Sequence, residues 1–147
     1  MIVPAGSFPS SREQVAPPEP GRCCTVLICD DQPQLRQTLR DVLSHNPHFT
    51  VIGEAVDGAT CLEALRLGGP DVLILDVNMP GGGPQIARAA KHLQPSTYIL
   101  VFTGRDAIET EREMLDAGAD AYLVKTGRLR PLLGMLTVAC VARHPDG

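Results

Sequence analysis

Five short apolar runs alternate with five helix-patterned segments along this chain, and four of the runs stop abruptly at a polar residue. The runs are Thr25 to Cys29, Phe49 to Ala55, Asp71 to Leu75, Tyr98 to Phe102 and Ala121 to Val124. Most are apolar throughout rather than alternating, as strands covered on both faces must be. The segments between them carry apolar residues at helical spacing: Leu35, Leu39, Val42 and Leu43; Cys61, Leu62, Leu65 and Leu67; Ile86, Ala87, Ala90 and Leu93. Asp106 to Ala117 predicts a more polar helix closed by Gly118, and the last helix spans about Leu129 to Ala142. Pro33, Pro84 and Pro131 each suit a first helical turn, and Gly68-Gly69-Pro70 stops the second helix. Strict strand–helix alternation predicts an α/β fold: an open, doubly wound, five-stranded parallel sheet in the order 2-1-3-4-5, flanked by five helices.

Composition permits one such domain. Of 147 residues, 44% are apolar and 20% charged, enough for a real core. Residues 1–22 differ: Pro4, Pro9, Pro17, Pro18, Pro20 and scattered Gly and Ser predict a flexible arm. The domain is expected over 23–143, with 144–147 as a tail or the start of a linker. A net charge of −4 disfavours nucleic acid as a direct partner. No apolar run approaches the roughly 20 residues of a membrane span, and Met1 to Ser11 does not read as a signal peptide. The expectation is a soluble cytoplasmic protein. Cys23, Cys24, Cys29, Cys61 and Cys140 lack zinc-ligand spacing and are expected as small buried hydrophobes in a reducing compartment. His45 and His48 flank Pro47 in a turn and carry no metal role.

The polar residues at the strand ends converge. Asp30 and Asp31 end the first strand, Asp76 the third, Thr103 the fourth and Lys125 the fifth. The winding places them on one rim, where ligands of such folds sit. Close carboxylates repel, and a divalent cation with hard-oxygen preference, magnesium, removes the conflict. Asp76, at the end of the central strand, is then the candidate nucleophile toward phosphorus. Lys125 offers a point charge and Thr103 a hydroxyl to phosphoryl oxygens, while Gly104 permits close backbone approach.

This ordered set resembles the receiver domain of two-component response regulators, over about Cys23 to Ala142. The resemblance rests on Asp30-Asp31, on Asp76 within Leu-Asp-Val-Asn-Met-Pro-Gly, on Thr103-Gly104 and on Lys125 within Ala-Asp-Ala-Tyr-Leu-Val-Lys. It implies the flavodoxin-like receiver fold, with Asp76 as phosphoacceptor from a sensor histidine kinase or a small phosphodonor. It implies Mg2+ held by Asp30 (through water), Asp31, Asp76 and the Asn78 carbonyl. Thr103 and Tyr122 become the switch pair, acting on the face of the fourth helix, fifth strand and fifth helix. The chain thus acts as a phosphorylated switch rather than a multiple-turnover enzyme.

Gly-Ala-Asp-Ala-Tyr-Leu-Val-Lys followed by Thr126 is similar to the NarL/LuxR-type branch, and no cis bond is expected after Lys125. That branch implies control of transcription through a helix-turn-helix domain; with Gly147 ending this chain, a receiver cut from a longer regulator or a stand-alone one is expected. The apolar fifth helix is read either as a broad buried face or as a contact surface. The homodimer options are the helix 4/helix 5 or helix 1/helix 5 surfaces. Pro84 replaces a glycine common in relatives, Arg105 is read as tuning water access to the phosphoryl group, and Gly81-Gly82-Gly83 as a mobile loop. The rival readings are an FMN module, which the acidic cluster disfavours, and an aspartate-nucleophile phosphohydrolase, which would place its nucleophile after the first strand. A phosphorylation-independent receiver working by protein contacts is the narrower alternative.

Overall fold

In the computed structural model, which describes residues 24–143, Val72–Leu75 (β3) is buried at every position. That is the consequence of four consecutive apolar residues in the middle of a sheet covered on both sides. Around it lie β1 (Cys24–Cys29), β2 (Phe49–Ala55), β4 (Tyr98–Thr103) and β5 (Ala121–Val124), all pairing parallel in the order β2-β1-β3-β4-β5. The helices are α1 (Pro33–Ser44), α2 (Gly58–Leu67), α3 (Pro84–Leu93), α4 (Ile108–Asp116) and α5 (Arg130–Arg143). The expected architecture is therefore the observed one. The arm over 1–22 and the tail over 144–147 lie outside the described residues.

Two cores sandwich the sheet. Leu27, Leu73, Leu75, Ile99 and Val101 face α2, α3 and α4 through Cys61, Leu65, Ile86, Ala87 and Met114. Val26, Ile28, Val72, Ile74 and Leu100 face α1 and α5 through Leu39, Leu43, Leu132, Leu136 and Ala139. The period of two along each strand thus splits its apolar residues between the layers. The edge strand β2 departs from the all-apolar reading: its burial alternates, because one face meets solvent. Val26 pairs with Val51 and Leu27 with Gly53, so Ile52 is the extra residue of a bulge and stands half exposed.

Local signals set the helix limits. Asp57 caps α2, accepting from the Thr60 N–H at 2.8 Å in a reciprocal capping box. Gly118, at φ +119°, takes the left-handed turn that ends α4. α4 begins at Ile108 rather than Asp106, since Ala107 is extended. The peptide bonds of the described residues are trans, Lys125–Thr126 included.

The cysteine reading needs correction. Cys24 and Cys140, expected as separate buried thiols, form a disulfide across 116 positions, with their Cα atoms 5.8 Å apart. The winding returns the last turn of α5 to the start of β1, a proximity that no local spacing announces. Cys29 and Cys61 are buried thiols as expected. No described helix is long and apolar enough to cross a membrane.

Candidate active site at the carboxyl ends of the strands

Parallel winding brings the ends of β1, β3, β4 and β5 to one rim, and the polar residue following or closing each strand lands there. Asp30 follows β1 and Asp76 follows β3; both are 2% exposed, while Asp31 is exposed. One oxygen from each of these carboxylates lies within 4.8 Å of the others. Lys125, following β5, spans the gap. Its Nζ donates to Asp30 Oδ2 at 2.8 Å, to Asp76 Oδ2 at 3.0 Å and to Gln32 Oε1 at 3.2 Å. The other carboxylate oxygens are held by backbone: Gln32 N–H donates to Asp30 Oδ1 and Asn78 N–H to Asp76 Oδ1, each at 2.9 Å. Both carboxyl groups are thus fixed at both oxygens.

The electrostatics follow from that crowding. Burial pushes the Asp30 carboxyl above its ordinary value and the nearby Asp76 pushes the same way, against the hydrogen bonds from Lys125 and Gln32. Burial alone would lower Lys125, but its bonds to Asp30 and Asp76 outweigh it and hold the ammonium above its usual pKa. Three carboxylates against one ammonium leave the cluster net negative. An all-oxygen set with one exposed member suits a hard divalent cation, so Asp30, Asp31 and Asp76 match a magnesium-binding motif. The rim opens into a cleft of roughly 960 Å³ lined by Asp31, Asp76, Asn78, Gly104 and Lys125 among others.

Thr103, closing β4, is fully buried. Its Oγ1 accepts from Asn78 Nδ2 at 3.3 Å and from Arg105 N–H at 3.4 Å, so it is engaged beside Asp76. Arg105 also donates from Nε to Asn78 Oδ1 at 3.2 Å, and its carbonyl accepts from the Tyr122 hydroxyl at 2.6 Å. Arg105 therefore joins Asn78, Thr103 and Tyr122 into one network. The Tyr122 ring is half-buried, and that burial together with Glu111 raises its hydroxyl pKa.

The structure brings Asp30, Asp31, Asp76, Asn78, Thr103 and Lys125 together at this rim, and Tyr122 joins them through the Arg105 carbonyl. Sequence reasoning missed Gln32, which holds both Asp30 and Lys125, and Arg36, whose Nη1 donates to the Asp30 carbonyl at 2.8 Å. Gln32 stood two positions after Asp30, close enough to share its turn. Arg105, read from the sequence only as tuning water access, connects Asn78, Thr103 and Tyr122. The Gly81-Gly82-Gly83 loop is tied down: Gly58 N–H donates to the Pro80 carbonyl at 2.8 Å, Gly82 N–H to the Met79 carbonyl at 2.9 Å, and Met79 is buried. A Cβ on Gly82 would meet the Asp76 carbonyl oxygen at 2.6 Å, so close packing beneath Asp76 requires glycine there.

Comparison with known proteins gives the same answer from outside the structure. The response regulator receiver domain family matches residues 26–137. The nitrate/nitrite response regulator protein NarL of Escherichia coli K12 is 35% identical over 113 residues, 76% of this chain and 52% of that protein. Response regulator MprA of Mycobacterium leprae is 36% identical over 122 residues, 82% of this chain and 53% of that one. The chain thus spans about half the length of these curated relatives. The signal receiver domain of the putative response regulator NarL from Mycobacterium tuberculosis superposes with a TM-score of 0.72 at 32% identity, covering 80% of this chain and 96% of that one. The chain belongs to the response regulator receiver domain family, as a receiver of the NarL/LuxR type.

Proposed function

We propose that Asp76 accepts a phosphoryl group from the histidine of a sensor kinase, or from a small phosphodonor, and that the phosphorylated domain controls an output. The observation that carries this reading is the Lys125 ammonium shared between two buried carboxylates, 3.0 Å from Asp76 and 2.8 Å from Asp30. In the transfer, a carboxylate oxygen of Asp76 forms the bond to phosphorus while the bond to the donor nitrogen or oxygen breaks, the pair leaving with the donor. Lys125 stabilises charge on a phosphoryl oxygen, and Thr103 donates its hydroxyl to another once it leaves Asn78. Mg2+, held by Asp30 through water, by Asp31, by Asp76 and by the Asn78 carbonyl, would supply charge neutralisation at the phosphoryl oxygens.

Thr103 and Tyr122 form the switch. Drawing Thr103 toward the modified Asp76 breaks its bonds to Asn78 and Arg105, and Arg105 carries that change to Tyr122. The α4–β5–α5 face then shifts population between two states. The output is transcription through a helix-turn-helix domain, in line with the NarL relatives' naming as response regulators. The chain is a switch, not a turnover enzyme. Its setting is cytoplasmic, its kinase partner is a sensor histidine kinase, and a homodimer through α4/α5 or α1/α5 is the proposed assembly. The chain itself contacts neither nucleic acid nor membrane.

The test is phosphoryl uptake from acetyl phosphate followed by intact mass, with and without a chelator. One added phosphoryl group that requires Mg2+ is expected. No uptake, together with no stable beryllium fluoride complex, would point to a receiver that works by protein contacts alone.

A further inference from the structure

The disulfide lies at the end of the molecule opposite the phosphoacceptor rim. Cys24 is the first residue of β1, 2% exposed, with its N–H donating to the His48 carbonyl at 2.8 Å. Cys140 lies in the last turns of α5 and is partly exposed. The body of α5 packs over β3 and β4. Its deep anchors are Leu132, Leu136 and Ala139, all fully buried. Beyond Leu136, Thr137, Val138 and Val141 face solvent, so within Thr137 to Val141 only Ala139 and the bridge hold the helix down. One methyl group is a weak anchor for a helix end, which makes the bridge its principal tie.

The domain does not need the bridge to build a core. Apolar side chains fill both faces of the sheet, unlike the small, core-poor domains that depend on disulfides. In a reducing compartment disulfides are rare, and those that form are usually transient and catalytic or redox-sensing. The other two described cysteines do not compete: Cys29 and Cys61 are fully buried, and the Cys61 contact, with burial, pushes the Cys29 thiol far above its ordinary value.

We propose that the Cys24–Cys140 disulfide is a reversible redox latch that fixes the C-terminal end of α5 when oxidised and releases it when reduced, independently of Asp76 phosphorylation. The reductant is a dithiol. Its thiolate attacks the sulfur of Cys140, the more exposed residue of the pair, and the electron pair of the broken S–S bond leaves on Cys24, which takes a proton. The second thiolate then resolves the mixed disulfide: the reductant ends as its own disulfide and Cys140 leaves as a thiolate that protonates. Oxidation by a disulfide runs the same exchange backwards. Val138 and Val141, 58% and 62% exposed, lie on the segment released, so the latch decides whether they are presented on an ordered helix. The compartment in this argument rests on the function proposed above; the helix anchoring does not.

The experiment uses the whole chain with Cys23→Ser, which removes the thiol next to Cys24 from exchange. The protein is equilibrated in millimolar dithiothreitol or glutathione mixtures, quenched in acid, alkylated and mapped by mass, and in parallel followed by amide hydrogen exchange. Reduction should add two alkyl groups, on Cys24 and Cys140. Exchange of the amides from Thr137 to Val141 should rise by about tenfold or more, while β1 and β3 amides stay protected. Cys140→Ser should show the fast exchange in both conditions, and reduced, alkylated wild type serves if that variant fails to fold. Phosphoryl uptake from acetyl phosphate should stay within about twofold in both redox states, because the latch and the rim are at opposite strand ends. A bridge that never forms, one that resists glutathione and dithiothreitol, or unchanged exchange after reduction overturns the latch. Absent uptake in both states counts against the phosphoacceptor reading and leaves the latch standing.

Discussion

Lys125 and Asp30, 95 positions apart in the chain, meet at 2.8 Å because parallel winding returns the end of β5 to the rim where β1 ends. The same ammonium reaches Asp76 at 3.0 Å, so one cation compensates two carboxylates that are each 2% exposed. The pair is the fixed point of the site: every role proposed for the rim depends on Lys125 standing between those two acids.

Lys125→Met should therefore destabilise the protein in the absence of Mg2+. Two buried carboxylates would be left facing each other, a loss of about 1–3 kcal/mol. Urea unfolding with and without Mg2+ checks this: the deficit should shrink when the cation is added, and phosphoryl uptake should be slower than in wild type. A variant as stable as wild type without Mg2+ would show that Lys125 does not compensate the acids.

Gly82 and Gly104 both flank the site, yet they should respond differently to alanine. A Cβ at Gly82 meets backbone oxygens of Asp76, Val77 and Met79 at 2.6–2.9 Å, whereas at Gly104 nothing lies within 4 Å. Gly82→Ala should cost about 1–3 kcal/mol, and Gly104→Ala should stay within about 0.5 kcal/mol. Chemical denaturation of the two variants side by side reads the contrast.

Leu136 and Val138 separate the two faces of α5. Leu136 is fully buried and Val138 is 58% exposed. Leu136→Ala should lose about 2–5 kcal/mol through transfer and cavity terms, and Val138→Ala about 0.5 kcal/mol or less. Equal losses would mean that α5 has no outward face, and would remove it as a contact surface.

Asp57 gives a pH signature remote from the site. Its bonds from Thr60 lower its pKa below the ordinary 3.8. A depressed folded value means that the cap's contribution is present above the unfolded pKa and is lost as pH falls through the folded one. Wild type should therefore lose stability relative to Asp57→Asn only below about pH 4. Thermal melts of both proteins from pH 6 down to pH 3 check the window; a difference that already changes between pH 6 and pH 5 would contradict it.

The strand order and the rim were legible because each depends on short-range pattern. Apolar runs of strand length match β2 and β5 at their observed limits, and the polar residues that end four of the runs are Asp30, Asp76, Thr103 and Lys125. What was hidden depends on pairs distant in sequence or on bonds made to backbone. Cys24 and Cys140 became partners only through the return of α5 to β1. Arg36, in the first turn of α1, reaches the Asp30 carbonyl six positions back, and its bond is to backbone, which leaves no complementary side chain to notice. Arg105 ties Thr103 to Tyr122 through its own amide and carbonyl, contacts that side-chain type does not encode.

The most direct measurement is intact-protein mass after acetyl phosphate and Mg2+, with wild type and Asp76→Asn treated together and both checked by circular dichroism for retained fold. Wild type should carry one phosphoryl group, located by peptide mapping to Asp76, and the variant none. Equal labelling of a folded Asp76→Asn would contradict this, because the phosphoryl group would then reside elsewhere.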